Sequence, residues 1–573
     1  MPTPRLLTPA SRPRAGARRA RRRRLLTRAA PLGGVAALAF AVGVVEATAP
    51  GRDERRLVTR YVGAWSHGDF TQMYDLLDQG SRTRISRSGF VTAYHDAART
   101  ATLVAILPVR VGSPSGQMVP VQIRVRTGVF GTLHETLDVP LAASGASIRF
   151  SDALLFPGLR PGEHLHRRLA LPPRADLLAR DGTPLAQGPM RTSPIPDVAG
   201  QIVGTLGPIP APDRTAYATQ GYPPDAKVGL DGLERIFQAQ LAGKPGGTLM
   251  AGRRVLSRAV PVGAAAIMTT IDPRIERAAV AAMGGRPSGF AAMDPRTGAL
   301  LGLAGIAFSA LQPPGSTMKI ITATGALQAG IVKLSDSFPL MSSATINGYT
   351  LQNAGGEVCG GTFLNAFAVS CNSVFAPLGA KLGGARLVDI AQRFGFNQPS
   401  SIPGAAESVI PSAATIGDDL AVGSSAIGQG LVQTTPLEMA DVGATIAMAG
   451  RRPIPTLLAH QPPRFVDVTS AHVARLVQLM MIAVVEFGTG TAAQIPGVKV
   501  AGKTGTAELR NTTAPSSDPN APPPGSPQNT DAWFVGYAPV GAPRIVVGAL
   551  FPAQGAGGAT AAPAVHDVLV AAL

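Results

Sequence analysis

The stretch Pro313-Pro314-Gly315-Ser316-Thr317-Met318-Lys319 decides how the rest of the chain is read. It runs into Ile320 to Leu327, which reads as a helix. Ser316 and Lys319 are three residues apart, so on a helix they share a face. A serine hydroxyl is a poor nucleophile until a base takes its proton. A lysine can be that base only when burial or a second cation lowers its pKa. The pair therefore asks for a closed site and another positive group. The plain alternative is a solvated helix serine beside a solvated lysine.

Composition bears on that choice. Of 52 basic residues only seven are lysines: Lys227, Lys244, Lys319, Lys333, Lys381, Lys499 and Lys503. Arginine holds its proton in a protein, whereas lysine can release it. A lysine three residues after a serine is thus less casual here than in a lysine-rich chain.

Two further elements follow. Ser370-Cys371-Asn372 lies in the run Phe367 to Phe375, and Lys503-Thr504-Gly505-Thr506 follows the apolar Val498 and Val500. The ordered set S-x-x-K, S-x-N, K-T-G resembles the penicillin-binding protein and serine β-lactamase superfamily. The resemblance implies a nucleophile at Ser316, a neutral Lys319 as its base, and Lys503 as the neighbouring cation. It implies that Ser370 bridges the two lysines and carries a proton to the leaving amine. Asn372 would orient the substrate peptide. Thr504, Gly505 and Thr506 would hold the substrate carboxylate, and the backbone N–H groups of Ser316 and Thr506 would form the oxyanion hole. The implied substrate is the D-Ala-D-Ala end of a peptidoglycan stem peptide, and β-lactams would trap the acyl-enzyme. No zinc motif and no phosphate-cradling glycine loop accompanies these residues, so no metal or cofactor is expected.

The 573 residues call for several domains. A net charge of +17 suggests nucleic acid until its place is seen. Residues 1–28 hold ten arginines and no acid, which leaves about +7 for the rest, so no nucleic acid is expected. Ala29 to Val45 is uncharged and mostly apolar, short for a membrane span but adequate. Arginines before it favour a cytoplasmic tail. The expectation is a basic tail at 1–28, a signal anchor at 29–49, and the remainder outside the cytoplasm, on a single-pass protein of the cell membrane. A cleaved signal peptide is the competing reading: Ala47-Thr48-Ala49 fits its site, but Pro50 follows.

Residues 51–155 read as a small α+β domain. Leu57, Val58, Tyr61, Val62 and Trp65 make one helix face, and Phe70 to Leu77 a second short helix. Val119 to Thr127 alternates as a half-buried strand, with further strands at Leu133 to Val139 and Ile148 to Leu155. Through Tyr61-Val62-Gly63-Ala64-Trp65 and Gly68-Asp69-Phe70 it resembles the nuclear-transport-factor-like domain of methicillin-resistance-type penicillin-binding proteins. Residues 160–262 resemble the pedestal, or dimerisation, domain of class B members, through Arg174-Ala175-Asp176, Gly229-Leu230-Asp231-Gly232-Leu233-Glu234 and Leu241 to Gly246. Residues 263–573 would be the transpeptidase domain, an antiparallel sheet flanked by helices, with its first and last elements together. Glu508 to Thr530 is rich in proline and reads as a mobile loop.

The resulting expectation is a multidomain α+β D,D-transpeptidase of class B. With no glycosyltransferase domain before the pedestal, the resemblance implies a membrane glycan polymerase as partner. A carboxypeptidase or β-lactamase-type hydrolase is the nearest rival, but no glutamate stands in an E-x-x-x-N setting to activate water. A β-lactam sensor or an inactive division scaffold is the other class; one span, no H-E-x-x-H and three intact motifs weigh against both. Cys359 and Cys371, the chain's two cysteines, fall where disulfides persist, and a bridge between them is expected, with two buried thiols as the alternative.

Overall fold

The computed structural model describes residues 51–509, 521–523 and 526–573. The tail at 1–28, the anchor at 29–49 and most of the proline-rich segment therefore lie outside the described residues. Among the described residues no helix is long and apolar enough to cross a membrane. The chain divides into two compact units.

The first unit comprises residues 51–170, 210–224 and 245–261. Helix α1 (Arg52–Ser66) buries the face its periodicity marks: Leu57, Val58, Tyr61, Val62 and Trp65. Asp69 accepts from Gln72 N and so starts α2 (Phe70–Asp75); Asp78 does the same for α3 (Gln79–Arg84). Ser86 caps α4 (Arg87–Thr100). Strands β1 (Leu103–Val111), β2 (Met118–Thr127) and β3 (Thr132–Pro140) form an antiparallel sheet in that order. On β2, Val119, Val121, Ile123 and Val125 face the helices, while Gln122, Arg124 and Arg126 face water. Tyr94 of α4 donates to Leu154 O at 2.9 Å and meets the Tyr61 hydroxyl at 2.7 Å, so the core's buried phenols are satisfied. The strand expected at Ile148 to Leu155 is not formed. Ile148 makes single bridges to Leu77 and Leu141, and Asp152–Leu155 is a 3₁₀ turn. A second antiparallel sheet joins β4 (Leu165–Ala170), β5 (Gly246–Ala251) and β6 (Arg254–Ala259), with β5 in the middle.

The second unit comprises residues 171–209, 225–244 and 262–573, so the stretch 160–262 is shared between the two units. Within it, Glu234 of the Gly-Leu-Asp-Gly-Leu-Glu run is 1% exposed and accepts from Arg174 Nε and Arg191 Nε, both at 2.6 Å. A buried carboxylate held by two guanidinium groups is paired rather than stranded.

The rest of this unit is built on a five-stranded antiparallel sheet. Its strands are β7 (Gly289–Asp294), β8 (Ala299–Gly305), β9 (Ala501–Glu508), β10 (Thr530–Ala538) and β11 (Ile545–Phe551), in the order β8-β7-β11-β10-β9. Both faces are covered, so successive residues of one strand enter different cores. Phe290 and Ala292 pack with Ile275 and Ala279 of α5 (Pro273–Met283) and with Val565 and Leu569 of α10 (Gly557–Ala572). Ala291 and Met293 face the core that holds Ile320 of α6 (Lys319–Gln328), Phe375 of α7 (Asn372–Leu382), Met439 of α8 (Pro436–Ala447) and Met480 of α9 (Ala471–Glu486). The first helix and the last thus share one layer, as the sequence predicts. β9 and β10 remain paired as far as Glu508 and Thr530, and Leu509 N donates to Asn529 O at 2.9 Å. The base of the proline-rich segment is therefore a closed ladder.

Candidate active site

Ser316 sits on a 3₁₀ turn, Gly315–Met318, that runs directly into α6. In a 3₁₀ turn residues three apart eclipse, so Ser316 and Lys319 are brought together even more directly than on an α-helix. Thr317 Oγ1 donates to Pro314 O at 2.7 Å and fixes the turn.

Lys319 is fully buried. Its Nζ lies 3.0 Å from Ser316 Oγ, 2.6 Å from Ser370 O, 3.2 Å from Ser370 Oγ and 2.7 Å from Asn372 Oδ1. The Phe375 ring centroid is 5.6 Å away. Burial first, and the Lys503 charge second, hold Lys319 well below the ordinary lysine range.

Ser370 lies between the short helix Phe363–Ala368 and α7. Its φ of 63° is left-handed, a conformation that costs about 1–2 kcal/mol for a residue with a Cβ. From there both its carbonyl and its hydroxyl reach Lys319. Asn372 is the first residue of α7, and its Nδ2 donates to Gln352 O at 3.0 Å. Cys371 between them is bonded to Cys359, with the Cα atoms 5.8 Å apart. Cys359 opens the strand Cys359–Thr362, which pairs with Ser337–Met341. The expected bridge is therefore present in the structure.

Lys503 comes from β9 and is also fully buried. Burial brings it down to about 7. Its Nζ donates to Thr504 O at 3.1 Å and lies 5.5 Å from the Phe367 ring centroid. Among the described residues Ser370 hydrogen-bonds Lys319 and not Lys503, so the two-lysine bridge expected at Ser370 is half made. Gly505 explains how a strand can lie so close to the serine turn. A Cβ there would fall 2.8 Å from Pro314 O and 2.8 Å from Trp533 Cβ. Gly315 is its counterpart: it has φ 52°, and a Cβ on it would meet the Thr506 carbonyl at 2.7 Å. Thr506 Oγ1 accepts from Gly557 N at 3.3 Å, which leaves its own proton free to donate. Thr504 Oγ1 meets Thr489 Oγ1 at 2.5 Å.

Residues 288–570 match the penicillin binding protein transpeptidase domain. Residues 178–254 match the penicillin-binding protein dimerisation domain. The transpeptidase domain thus contains all eight site residues read from the sequence. The peptidoglycan D,D-transpeptidase PbpA of Mycolicibacterium smegmatis is 36% identical over 295 residues, covering 47% of this chain and 56% of that protein. The chain thus spans about half the length of the curated relatives it matches. Among solved structures, the D,D-transpeptidase domain of a peptidoglycan glycosyltransferase from Eggerthella lenta aligns with a TM-score of 0.56 and 28% identity, over 70% of this chain and 99% of that one. Penicillin-binding protein A from M. tuberculosis, as its ceftriaxone acyl-enzyme, aligns with a TM-score of 0.56 and 26% identity, over 70% and 98%.

Three further residues of this site are not legible from the motifs. In the sequence Phe367 and Phe375 only bound an apolar run, yet each places a ring beside one of the two lysines. Thr489 stands in Gly488-Thr489-Gly490, and a threonine between two glycines was the one signal that could have found it.

Proposed function

We propose that this chain is a peptidoglycan D,D-transpeptidase that works through an acyl-enzyme on Ser316. The observation that carries this reading is the set of partners around Lys319 Nζ. Ser370 O and Asn372 Oδ1 are carbonyl oxygens and can only accept. A neutral amine has two N–H bonds, and these two oxygens take both. The nitrogen lone pair is then left for the Ser316 hydroxyl, 3.0 Å away. Burial first, and the Lys503 charge second, favour that neutral form.

Each step follows from these positions. Ser316 Oγ attacks the carbonyl carbon of the penultimate D-Ala while its proton passes to Lys319. The oxyanion forms against the N–H groups of Ser316 and Thr506. Collapse breaks the C–N bond, and a proton passed through the Ser370 hydroxyl leaves with the amine of the terminal D-Ala. The amine of a second stem peptide then attacks the ester, forms the cross-link and frees Ser316. Protonated Lys503, with Thr504, Gly505 and Thr506, receives the substrate carboxylate. Asn372 orients the peptide.

A β-lactam stops the cycle at the ester. The M. tuberculosis relative forms acyl-enzymes with ceftriaxone and with penicillin G, which supports this part of the reading. The same reading places a signal anchor at 29–49, a nuclear-transport-factor-like domain at 51–155, a pedestal at 160–262 and the transpeptidase domain at 263–573, outside the cytoplasm. It makes a membrane glycan polymerase the partner.

Labelling with a fluorescent penicillin, followed by peptide mapping, tests the core of the proposal. The label is expected on the peptide that carries Ser316 and is lost in Ser316→Ala. A label on another peptide, or one that survives the substitution, overturns it.

A further inference from the structure

The positive charge of the folded chain is confined to one unit. Residues 51–170, 210–224 and 245–261 carry nineteen arginines, no lysine and eleven acidic residues. Residues 171–209, 225–244 and 262–573 carry twenty-three basic and twenty-three acidic residues, and so balance. Nothing in the acyl-transfer chemistry needs that imbalance.

Part of the excess gathers on the outward face of the β1-β2-β3 sheet. Arg110 stands opposite Gln122, Leu107 opposite Arg124, and Ala105 opposite Arg126. Arg110, Arg124 and Arg126 therefore project from one face, the last two about 7 Å apart along β2. All three are exposed. None has an ion pair or side-chain hydrogen bond among the described residues. Among them stand large apolar side chains that the core does not use: Leu107 is 40% exposed, Val109 56% and Met118 40%. A sheet face that only meets water alternates to polar residues. Unpaired cations mixed with exposed apolar groups suit the boundary between water and lipid headgroups.

The path of the chain indicates which surface that is. Gly51 lies against the β1–β2 connection: a Cβ added to it would be 2.6 Å from Pro114 Cγ. The apolar run Ala29 to Val45 ends six residues before Gly51, and six residues span at most about 20 Å. The face and Gly51, the first described residue, thus lie at the same hairpin.

We propose that the β1–β2 face docks on the headgroups of anionic lipid in the membrane to which residues 29–49 would anchor the chain. The proposal rests on reading that segment as an anchor. The three guanidinium groups hold lipid phosphates, for which their fork geometry is suited. Val109, Met118 and Leu107 enter the boundary with the acyl chains. Each arginine near an anionic surface is worth roughly a fivefold gain in affinity.

The test uses the full-length chain in lipid nanodiscs. The native tryptophans, Trp65 and Trp533, are 5% and 0% exposed, so an added tryptophan reports on its own surroundings. Val109→Trp is placed on the face. Thr92→Trp, on an exposed position of α4 behind the other side of the sheet, is the control. Discs contain brominated phosphatidylcholine with or without phosphatidylglycerol. Co-purification with the discs tests the anchor alone; a chain that does not co-purify loses the tether, and the docking falls with it. In discs that contain phosphatidylglycerol, the Val109→Trp emission is expected to be quenched and the Thr92→Trp emission spared. Reversal of Arg110, Arg124 and Arg126 to Glu should restore the lost emission without changing penicillin labelling. Equal quenching at both positions, or quenching indifferent to phosphatidylglycerol and to the reversals, overturns the proposal. So does a reversed variant that loses retention on purified anionic wall polymer while Val109→Trp stays unquenched in discs, because the arginines would then serve that polymer.

Discussion

Lys319 Nζ and the backbone carbonyl of Ser370 stand 2.6 Å apart, and Ser370 reaches that position only through a left-handed backbone. The contact separates two contributions of one residue. The carbonyl orients the base whatever the side chain, and the hydroxyl alone can relay a proton. Ser370→Ala keeps the first and removes the second. It is expected to fold normally and to slow acylation by about 10²–10⁴-fold. Ser370→Gly relieves the backbone as well. It should be as stable as the wild type or up to about 1 kcal/mol more so, and just as slow as the Ala variant. Stopped-flow acylation with a chromogenic cephalosporin, beside urea denaturation, separates the two. An Ala variant that acylates at the wild-type rate removes Ser370 from the proton path.

Lys319→Arg keeps a cation but gives up the base, because arginine does not release its proton. The variant should fold and fail to acylate. In the wild type, acylation is expected to disappear as the pH falls and Lys319 takes up its proton. It should decline again above about 7, where Lys503 loses the charge proposed to receive the substrate carboxylate. A pH profile of the acylation rate checks both limbs, and a flat profile contradicts the assignment.

Lys503 also sets a stability signature. Its folded pKa is depressed to about 7, whereas an unfolded lysine titrates near 10.4. Between those values the unfolded chain holds more protons, so this group makes stability rise with pH. The slope is about 1.4 kcal/mol per pH unit, and it vanishes outside that window. Lys503→Met should therefore be more stable than the wild type at pH 7, and the gap should close as the pH approaches 10. Denaturation midpoints of both proteins across that range are the measurement. A constant gap means that Lys503 is not buried as a neutralising lysine.

Gly505→Ala tests the close approach of β9 to the serine turn. The added methyl would contact Pro314 O and Trp533 Cβ at 2.8 Å, and both belong to packed elements. Overpacking of that kind costs about 1–3 kcal/mol. It would also push Lys503 away from Lys319. A loss of acylation larger than the loss of stability predicts is the expected result. Full activity in a destabilised variant would mean that the strand yields without moving Lys503.

The bond between Cys359 and Cys371 fastens the residue between Ser370 and Asn372 to the strand Cys359–Thr362. Closing such a loop contributes roughly 3 kcal/mol by chain entropy. Cys359→Ser, or reduction, should slow acylation by a larger factor than the global stability loss accounts for, because the tether acts on the loop that orients Lys319. Mass spectrometry of unreduced protein should show no alkylatable thiol. Two free thiols would end the idea.

The candidate site residues are legible because each belongs to a short motif whose chemistry is local. Ser316 and Lys319 meet within one turn, so spacing alone brings them together. What lay outside the sequence was the meeting of distant backbones. Nothing in Gly505 announces that Pro314 lies opposite. Glu438 and Asp441 look like ordinary helix carboxylates, yet burial raises both, and the Glu438 charge adds to the rise at Asp441. In the first unit β1 is not legible in the sequence, because Val104, Leu107 and Val109 are exposed. A strand whose apolar residues lie on both faces shows no period of two. Ile148 to Leu155 misled for the opposite reason: Leu154 and Phe156 are buried through a 3₁₀ turn rather than a strand.

The strand order of the five-stranded sheet carries one more consequence. β7 is flanked by β8, made immediately after it, and by β11, made about 250 residues after β7. A growing chain therefore presents β7 with one open edge until the final segment has been delivered. Ser316, made early, has no Lys503 from β9 set in the sheet beside its turn until then. Antibiotic reactivity should switch on late and abruptly during synthesis, since pairing across so long an interval is slow. Nascent chains arrested before residue 501 should be unreactive toward penicillin, and their exposed strand edge should make them early clients of folding helpers.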